Sequence, residues 1–500
     1  MLRFFARATI SSRLPPFLSP RLPIAKGGIF SNMDSHHPTA VQKSAPDLGT
    51  GSVGQLLFRL AVPAIIAQVI NVLYNMVDRM YIGHLEEIGE TALTGVGVCF
   101  PLITAISAFA YLVSMGGAPR ASIFLGKGDK ETAERILGNC TTALVVVGVS
   151  LTAIFFLCGY QLLDLFGASP DTIGYAWEYF SIYLVGTVFV QLSLGLNAFI
   201  NAQGYTITGM LTVVIGAVLN IILDPILMFG FGMGVAGAAL ATIISQAVSA
   251  AFTVWFLCSR RSYLRLKLPN LRPAVRILWP CVALGLSPFV MQLTESVISI
   301  CFNTQLQLYG SDIAVGAMTI LSSVMQFSML PLQGLSQGAQ PITSFNYGAG
   351  KIDRVVKTFR VLLIACLVYS AAMWAICELV PQLVIGIFTP PDGALGLYTR
   401  GALRVYMAAS LLFGAQIACQ QTFVALGKAG VSLFLAVLRK IILLVPLIFL
   451  LPRILPIAQD TAVFLAEPIA DTIAVITTST LFAIIFGHMV RNWKIDPLRN

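Results

Sequence analysis

Four polar residues share one face of the first long apolar segment of this sequence. Asn71, Tyr74, Asn75 and Asp78 stand at positions i, i+3, i+4 and i+7 of a helix. An ionisable side chain inside hydrocarbon costs at least about 2.5 kcal/mol, so a carboxylate kept there with amides beside it indicates a polar cavity. Such a cavity suits a proton or a cation. The alternative is a local pair between Asp78 and Arg79 near the end of the segment.

A second carboxylate stands in the fifth apolar segment. Asn220 and Asp224 are one helical turn apart, and Pro225 removes the amide that would bond the carbonyl of Ile221. Carboxylate, amide and free carbonyl oxygens together favour a proton or a sodium ion. Asn197 and Asn201 form a similar i, i+4 pair in the fourth segment. The alternative for all of them is a structural hydrogen-bond network around a proline kink.

The second half of the chain carries its own polar stripe. Gln292, Glu295, Ser299 and Asn303 fall on one face of the seventh segment, and Glu295 is the only acid there, suited to an organic cation or to ion coupling. Five glutamines either line a pocket in the same half or serve helix packing: Gln326, Gln333, Gln337, Gln416 and Gln420. Six charged residues lie toward segment ends, where we expect them to reach the membrane interface: Glu378, Arg404, Arg439, Lys440, Glu467 and Asp471.

The elements that must position these residues are membrane-spanning helices. Of the 500 residues 57% are hydrophobic and 11% charged, whereas a soluble domain carries roughly 25% charged residues. We therefore expect an all-α integral membrane protein. Twelve segments are long enough to cross about 30 Å of hydrocarbon. They lie near 57–81, 92–115, 136–160, 175–201, 208–230, 235–258, 274–304, 313–336, 357–380, 398–426, 430–452 and 462–488.

The distribution of Lys and Arg predicts the orientation of these spans. Positive residues concentrate in alternate connections, which are the ones that stay in the cytoplasm, so both termini are expected to be cytoplasmic. The net charge of +9 arises in these connections, and no nucleic-acid partner is expected. The first 33 residues hold Arg3, Arg7, Arg13, Arg21 and Lys26 and no acid. They resemble an organellar transit peptide, which would place the protein in an organellar membrane. The alternative is that Met33 is the natural start, and the expected location is then the cell membrane.

Several classes of protein are disfavoured by missing motifs. The nine cysteines are scattered without a C-x-x-C pair, so neither disulfides nor a metal cluster is expected. No phosphate-binding loop, H-E-x-x-H or G-x-S-x-G motif occurs, and there are only four histidines. A membrane-embedded enzyme or sensor is therefore disfavoured, and no cofactor is expected. Any uphill transport must use an ion gradient.

The two sets of six segments are related by an internal repeat. Pro63 corresponds to Pro288, and the loop predicted at 116–131 corresponds to 338–353, pairing Gly116 with Gly338 and Gly126 with Gly348. Because six is even, both halves enter the membrane from the same side, which predicts two six-helix bundles related by a pseudo-two-fold axis along the membrane normal. The predicted organisation is a tail at 1–53, a first lobe at 54–258, a linker at 259–273, a second lobe at 274–490 and a tail at 491–500.

Together these motifs resemble the multidrug and toxin extrusion (MATE) transporters. The resemblance runs from about residue 54 to 488, is most specific in NIILDPILMFGFGMGVAGAALAT at 220–242, and is nearest to the prokaryotic DinF-like and MepA-like branches. It implies antiport, in which two bundles rock about a central cleft and an amphipathic or cationic drug leaves as protons or sodium ions enter. The expected partners are such small molecules and the lipid bilayer, and the chain is expected to be monomeric.

The resemblance also implies roles for individual residues. In DinF-type members the aspartates of the first and fifth spans form the coupling site with nearby asparagines, which match Asp78, Asp224, Asn220 and Asn197; these four would also hold a sodium ion. In NorM-like members an acid of the seventh span binds cations, and Glu295 matches it, whereas the tenth-span acid of those members has no counterpart here. The remaining cleft candidates are Asn71, Tyr74, Asn75, Asn201, Gln292, Ser299, Gln326 and Gln420. The rival function is export of a lipid-linked or metabolite substrate.

Overall fold

The computed structural model describes residues 48–85, 88–310 and 312–495, and these residues form helices without any strand. Of the predicted tails at 1–53 and 491–500, residues 1–47, which include the possible targeting segment, and 496–500 lie outside the described residues. The first group of helices, which we call the N-lobe, consists of α1 (Val53–Gly83), α2 (Gly89–Gly126), α3 (Lys130–Leu165), α4 (Ile173–Val185), α5 (Thr187–Ala202), α6 (Thr206–Pro225) with a π-helical turn (Ile226–Gly230), and α7 (Gly234–Cys258).

The second group of helices, the C-lobe, follows a 3₁₀ turn at Leu268–Leu271. It consists of α8 (Val275–Tyr309), α9 (Asp312–Gly348), α10 (Ile352–Leu379), α11 (Pro381–Ile385), α12 (Ala394–Tyr406), a 3₁₀ turn (Ser410–Leu412), α13 (Phe413–Ala425), α14 (Ala429–Val437), a π-helical segment (Leu438–Leu444), α15 (Val445–Ile454) and α16 (Gln459–Ile495).

The helices provide the predicted number of membrane spans. Within the described residues, ten are long and apolar enough to cross a bilayer, and two bent pairs raise the number to twelve. The helices α4 and α5 meet at 59°, and the chain bends by 44° between α12 and the segment that contains α13. The prediction of a twelve-span, all-α membrane protein is confirmed.

Two helices extend further than the sequence predicted. Residues 116–126 and 338–348 were expected to lie in loops, but they are the last turns of α2 and α9. Each helix ends near a glycine with positive φ, 82° at Gly128 and 71° at Gly350, a conformation that other residues rarely adopt. The small residues that suggested a loop instead let helices pack closely, and packing outweighs their weak helical propensity.

These glycine-rich ends form the seam between the two lobes. Gly126 of α2 packs against the carbonyl of Phe345 in α9, and Gly348 of α9 packs against the carbonyl of Ile123 in α2, with no room for a Cβ at either glycine. The hydroxyl of Ser122 also donates a hydrogen bond across the seam to the carbonyl of Pro341, 3.4 Å away. The lobes are therefore closed at the end of the molecule that carries the positively charged connections.

The seam continues along α8 and then stops. Gly116 and Gly285 bring the backbones of α2 and α8 together, and the rings of Phe109 and Phe289 meet edge to face with centroids 5.0 Å apart. Beyond Phe289 the face of α8 that bears Glu295 is exposed.

The connection between the lobes is held on α3. The carboxylate of Glu134, almost fully buried, lies 2.5 Å from Nζ of Lys267 and accepts a hydrogen bond from the amide of Arg265. Asn139 holds the same connection through the carbonyl of Asn270 and the amide of Ala274.

Candidate functional site

The two first-lobe acids are buried where α6 packs between α1 and α7. Asp78 of α1 is 8% exposed and Asp224 of α6 is 0% exposed. Nδ2 of Asn220 donates a hydrogen bond to Oδ1 of Asp224, 3.1 Å away, and lies 3.4 Å from the hydroxyl of Thr242 in α7. The two carboxylates are near enough to interact electrostatically. The structure thus brings Asp78, Asn220 and Asp224 together.

This cluster has more hydrogen-bond acceptors than donors. Within the described residues, one carboxylate oxygen of each acid, Asp78 Oδ1 and Asp224 Oδ2, has no hydrogen-bond partner, and neither has the amide oxygen of Asn220. Asn220 also lines a cavity of about 30 Å³ together with Asn71, Tyr74 and Gln246. A buried acceptor without a partner is costly, and a space of this size admits one or two waters or a small ion. The arrangement is therefore chemically suited to a proton or a small cation.

Arg79 does not neutralise Asp78. Its guanidinium lies over the ring of Phe100, 4.6 Å from the ring centroid. In the described part of the chain no ion pair joins Arg79 to Asp78. The alternative of a local Asp78–Arg79 pair is therefore not the arrangement that the structure adopts.

Asn197 and Asn201 belong to a different cavity. Asn197 donates hydrogen bonds to the hydroxyl of Thr212 and to the carbonyl of Gly209, and Asn201 donates to Asn197. Thr212 precedes Asn220 by eight residues of α6, roughly 12 Å along the helix axis. The predicted four-residue sodium site requires Asn197 to lie beside Asn220 and Asp224. In the structure Asn197 lies instead beside Gly209 and Thr212. Within the described residues, no three His, Cys, Asp or Glu side chains are placed to hold a metal ion.

The second cavity has a volume of about 100 Å³ and reaches the other lobe. Asn71 lines both cavities, while Asn197, Asn201 and Tyr111 line only the larger one. Gln337 of α9 lines it as well. This is a departure from the prediction, which placed Gln337 in a second-lobe pocket. Asn71 of α1 therefore borders two adjoining cavities, and the larger one is lined in part by a C-lobe side chain.

The C-lobe candidates occupy varied positions. Gln416 donates a hydrogen bond to Gln420, which lies 3.2 Å from the sulfur of Met291. Ser299 and Gln326 are exposed and Gln292 is half-buried. The side chain of Glu295 is 56% exposed, and its Oε1 lies 3.1 Å from Nζ of Lys440. The acid that the family resemblance predicts to bind cations is therefore paired with a lysine of the same lobe.

Four charged residues expected at the membrane interface are instead buried together. Arg439 and Lys440 are each 6% exposed, and Glu467 and Asp471 are each 2% exposed. Nε of Arg439 lies 2.6 Å from Oδ1 of Asp471. The prediction that these four side chains extend to the interface is wrong, because each finds an opposite charge on a neighbouring helix. Only Arg404 of the six, bonded to the carbonyl of Glu378, has an exposed position.

The sequence did contain a signal for this cluster. Arg439 and Lys440 fall in the middle of the predicted span 430–452, and Glu467 and Asp471 are one turn apart on one helix face. Charges at such depth are functional candidates by default. The structure adds that Arg439 and Lys440 lie in a π-helical segment, a local widening that is frequent at functional sites.

The fold and the site define a multi-pass membrane transporter with two helical lobes and not an enzyme. The MatE family model matches residues 63–226 and 288–450, once in each lobe, and the chain belongs to this family, in its MepA-like branch. The apolar helices and the bacterial relatives make it an integral protein of the plasma membrane that handles small molecules in a lipid environment.

Individual relatives agree with this assignment. The chain is 26% identical over 400 residues to the multidrug export protein MepA of Staphylococcus saprophyticus, covering 80% of this chain and 87% of that protein. It is 25% identical to MepA of Staphylococcus haemolyticus, covering 84% and 91%. A crystal structure of MATE in complex with MaD3S superimposes with a TM-score of 0.83 at 23% identity, over 90% of this chain and 99% of that one.

Proposed function

We propose that this protein is a secondary active multidrug antiporter, which exports organic cations and related amphipathic drugs in exchange for protons or sodium ions. The observation that carries the proposal is the buried, acceptor-rich cluster of Asp78, Asn220 and Asp224 beside a water-sized cavity. Its relatives named as multidrug export proteins support the drug-export part.

The coupling step follows from the cost of burying charge. With both carboxylates ionised and unpaired, the cluster repels itself and has lost much of its hydration. Binding of a proton or a sodium ion offsets this repulsion and lost hydration. The gain is largest in the conformation that holds the two acids together. An ion that stabilises one packing of α1 against α6 and α7 shifts the lobe toward that conformation.

The substrate side follows from the remaining polar groups. The larger cavity offers neutral amide side chains. They can contact ligands of varied shape without the free-energy cost of removing water from a charged protein group. Glu295 offers a carboxylate on an exposed helix face that a cationic drug can reach. Neutral contacts together with one exposed acid, for which a cation would compete with Lys440, suit a broad range of amphipathic cations.

The orientation follows from the charged connections. If Lys127, Lys130, Lys351 and Arg354 lie in the cytoplasm as the positive-inside rule predicts, the seam at Gly126 and Gly348 closes the transporter to the cytoplasm. The structure then corresponds to a state that is open to the outside. Both termini are cytoplasmic in this arrangement, and one chain contains both lobes, so a monomer suffices for transport.

The test is uptake of ethidium into proteoliposomes that contain the purified full-length chain. A proton gradient and a sodium gradient are imposed separately, and wild type is compared with Asp78→Asn and Asp224→Asn. The matched control is Asp171→Asn, which changes an exposed carboxylate outside the spans. We expect one gradient to drive uptake by wild type and the control, and both buried-site variants to lose it.

The opposite results would be equally informative. If Asp78→Asn keeps wild-type, gradient-driven uptake, the coupling site is not where we propose. If neither gradient moves ethidium or tetraphenylphosphonium through the wild type, the organic-cation proposal fails, and export of a lipid-linked or metabolite substrate becomes the better hypothesis.

A further inference from the structure

The charged cluster of the C-lobe joins four buried groups to one exposed acid. Arg439 and Lys440 supply two positive charges, whereas Glu295, Glu467 and Asp471 supply three carboxylates. The phenol of Tyr406, on α12, also faces the cluster, but phenols ionise only near pH 10 and it adds no charge. In this part of the described chain two cations therefore serve three carboxylates, of which Glu467 and Asp471 are buried and Glu295 is exposed.

The contacts show which of the three carboxylates has no hydrogen bond within the described residues. Asp471 accepts a close, charge-assisted hydrogen bond from Arg439, at 2.6 Å, and Glu295 accepts one from Lys440, at 3.1 Å. Oε1 of Glu467 lies 3.9 Å from Arg439 and 4.0 Å from Lys440, beyond hydrogen-bond distance. Among the described residues its Oε2 has no hydrogen-bond partner, and the residue is 2% exposed. Of the three carboxylates, Glu467 is thus the least stabilised as an ion and the one best placed to carry a proton.

Lys440 lies between this buried acid and the exposed one. Its Nζ is bonded to Glu295, whose side chain is 56% exposed, and lies 4.0 Å from Glu467. A movement of about 1 Å brings the ammonium within hydrogen-bond distance of Glu467, well within the freedom of a four-carbon side chain. A cation that binds Glu295 from the cleft competes with Lys440 for the same carboxylate.

We propose that Lys440 is a relay that links drug binding at Glu295 to the loss of a proton from Glu467. The inference rests on the proposed function and adds to it a second coupling place, in the C-lobe. When a cationic drug pairs with Glu295, the displaced ammonium of Lys440 pairs with Glu467, and the Glu467 proton leaves to the water of the cleft. One cation enters the cluster and one proton leaves it, so the net charge of the cluster is unchanged. The reverse exchange, proton uptake from the outside, restores the Lys440–Glu295 pair and expels the drug.

The experiment measures binding and proton release together. Tetraphenylphosphonium is added to the purified full-length protein in weakly buffered detergent solution, with a pH-indicator dye as the readout. The variant Asp78→Asn/Asp224→Asn first removes the N-lobe contribution. In this background we expect about one proton released for each tetraphenylphosphonium bound at neutral pH, and binding that strengthens as the pH rises.

Two further substitutions in the same background test the relay itself. Adding Glu467→Gln leaves Lys440 no second carboxylate, so we expect no proton release and affinity at least about tenfold weaker. Adding Lys440→Met and Glu467→Gln together leaves Glu295 free of its competitor, so we expect the affinity to return to the parent value or above, without dependence on pH. Thermal unfolding verifies that each variant is folded.

The outcomes separate this inference from the proposed function. Unchanged proton release with Glu467→Gln, or no recovery of affinity in the Lys440→Met/Glu467→Gln variant, overturns the relay while wild-type drug transport stands. Absence of both tetraphenylphosphonium binding and gradient-driven transport in the wild type overturns the proposed function, and the relay with it.

Discussion

Asn220 is joined to Asp224 by a hydrogen bond of 3.1 Å, and in the part of the chain that the structure describes each of the two side chains keeps one oxygen without a hydrogen-bond partner. The donor capacity of the amide is used, whereas the acceptors Asn220 Oδ1 and Asp224 Oδ2 are not. A buried pair in this condition is stabilised by any ligand that brings positive charge or a proton. The pair therefore makes the coupling proposal testable at a residue that is not itself acidic.

Replacement of Asn220 by Ala should impair coupling without removing an acid. The hydrogen bond lost to a charged group is worth about 1.5–3 kcal/mol, so we expect ion-driven ethidium uptake to fall at least about tenfold. The control is Gln161→Ala, which removes an exposed amide from α3. Uptake by Asn220→Ala at the wild-type rate would show that the amide does not support the site.

Adding a methyl group at Gly126 should open the seam. The new Cβ would meet the carbonyl of Phe345, a backbone atom that cannot move aside alone, so we expect the closed conformation to be destabilised by about 1–3 kcal/mol. The readout is maleimide labelling of Ser122→Cys, buried at the seam, in a cysteine-free background. We expect faster labelling with Gly126→Ala.

The matched control for the seam is Gly97→Ala, because Gly97 lies in the same helix and a methyl group there would meet nothing within 4 Å. Labelling of Ser122→Cys should be unchanged by this substitution. Equal labelling rates in the Gly126→Ala and Gly97→Ala variants would contradict a role of the seam in closure.

Neutralising Glu134 should release the connection between the lobes. Its side chain is 3% exposed and contacts Lys267 and the amide of Arg265, so Glu134→Gln is expected to cost about 1–3 kcal/mol of stability. Thermal unfolding in detergent is the measurement. The control is Glu131→Gln, which changes a glutamate of the same helix that is 76% exposed and should alter the melting temperature very little. Equal effects of the two substitutions would count against the docking of the connection on α3.

Truncating Arg439 should destabilise the C-lobe severely. The substitution Arg439→Met leaves Asp471 buried without its 2.6 Å partner, and breaking a buried pair typically costs about 3–5 kcal/mol. Arg404→Met is the control, because Arg404 is exposed and contacts only a backbone carbonyl among the hydrogen bonds described for it. Similar yields and melting temperatures for the two variants would contradict the structural role of the buried pair.

The spans and the first-lobe acids could be predicted from the sequence because both depend on local periodicity. The helical spacing of Asn71, Tyr74 and Asp78 places them on one face whatever the rest of the fold does. The hydropathy of each segment likewise determines whether it crosses a bilayer. These features require no knowledge of which helices are neighbours.

The C-lobe cluster could not be predicted in the same way because its partners are distant in sequence. Lys440 meets Glu295 across 145 positions of the chain, and nothing in the spacing of either helix indicates that pairing. The surroundings of Asn197 likewise depend on helix packing. The family resemblance grouped Asn197 with Asn220, and the packing of α5 on α6 places its side chain at Thr212.

The contact of Gly126 with Phe345 and of Gly348 with Ile123 has the form of an isologous interface, in which one patch meets its own equivalent. The sequence repeat pairs Gly126 with Gly348 and Ile123 with Phe345, so each half of the chain contains both the glycine and the carbonyl that receives it. A single six-span half therefore encodes a complete, self-complementary surface. Two copies of one such half could therefore pack against each other as a homodimer through these same two glycine contacts.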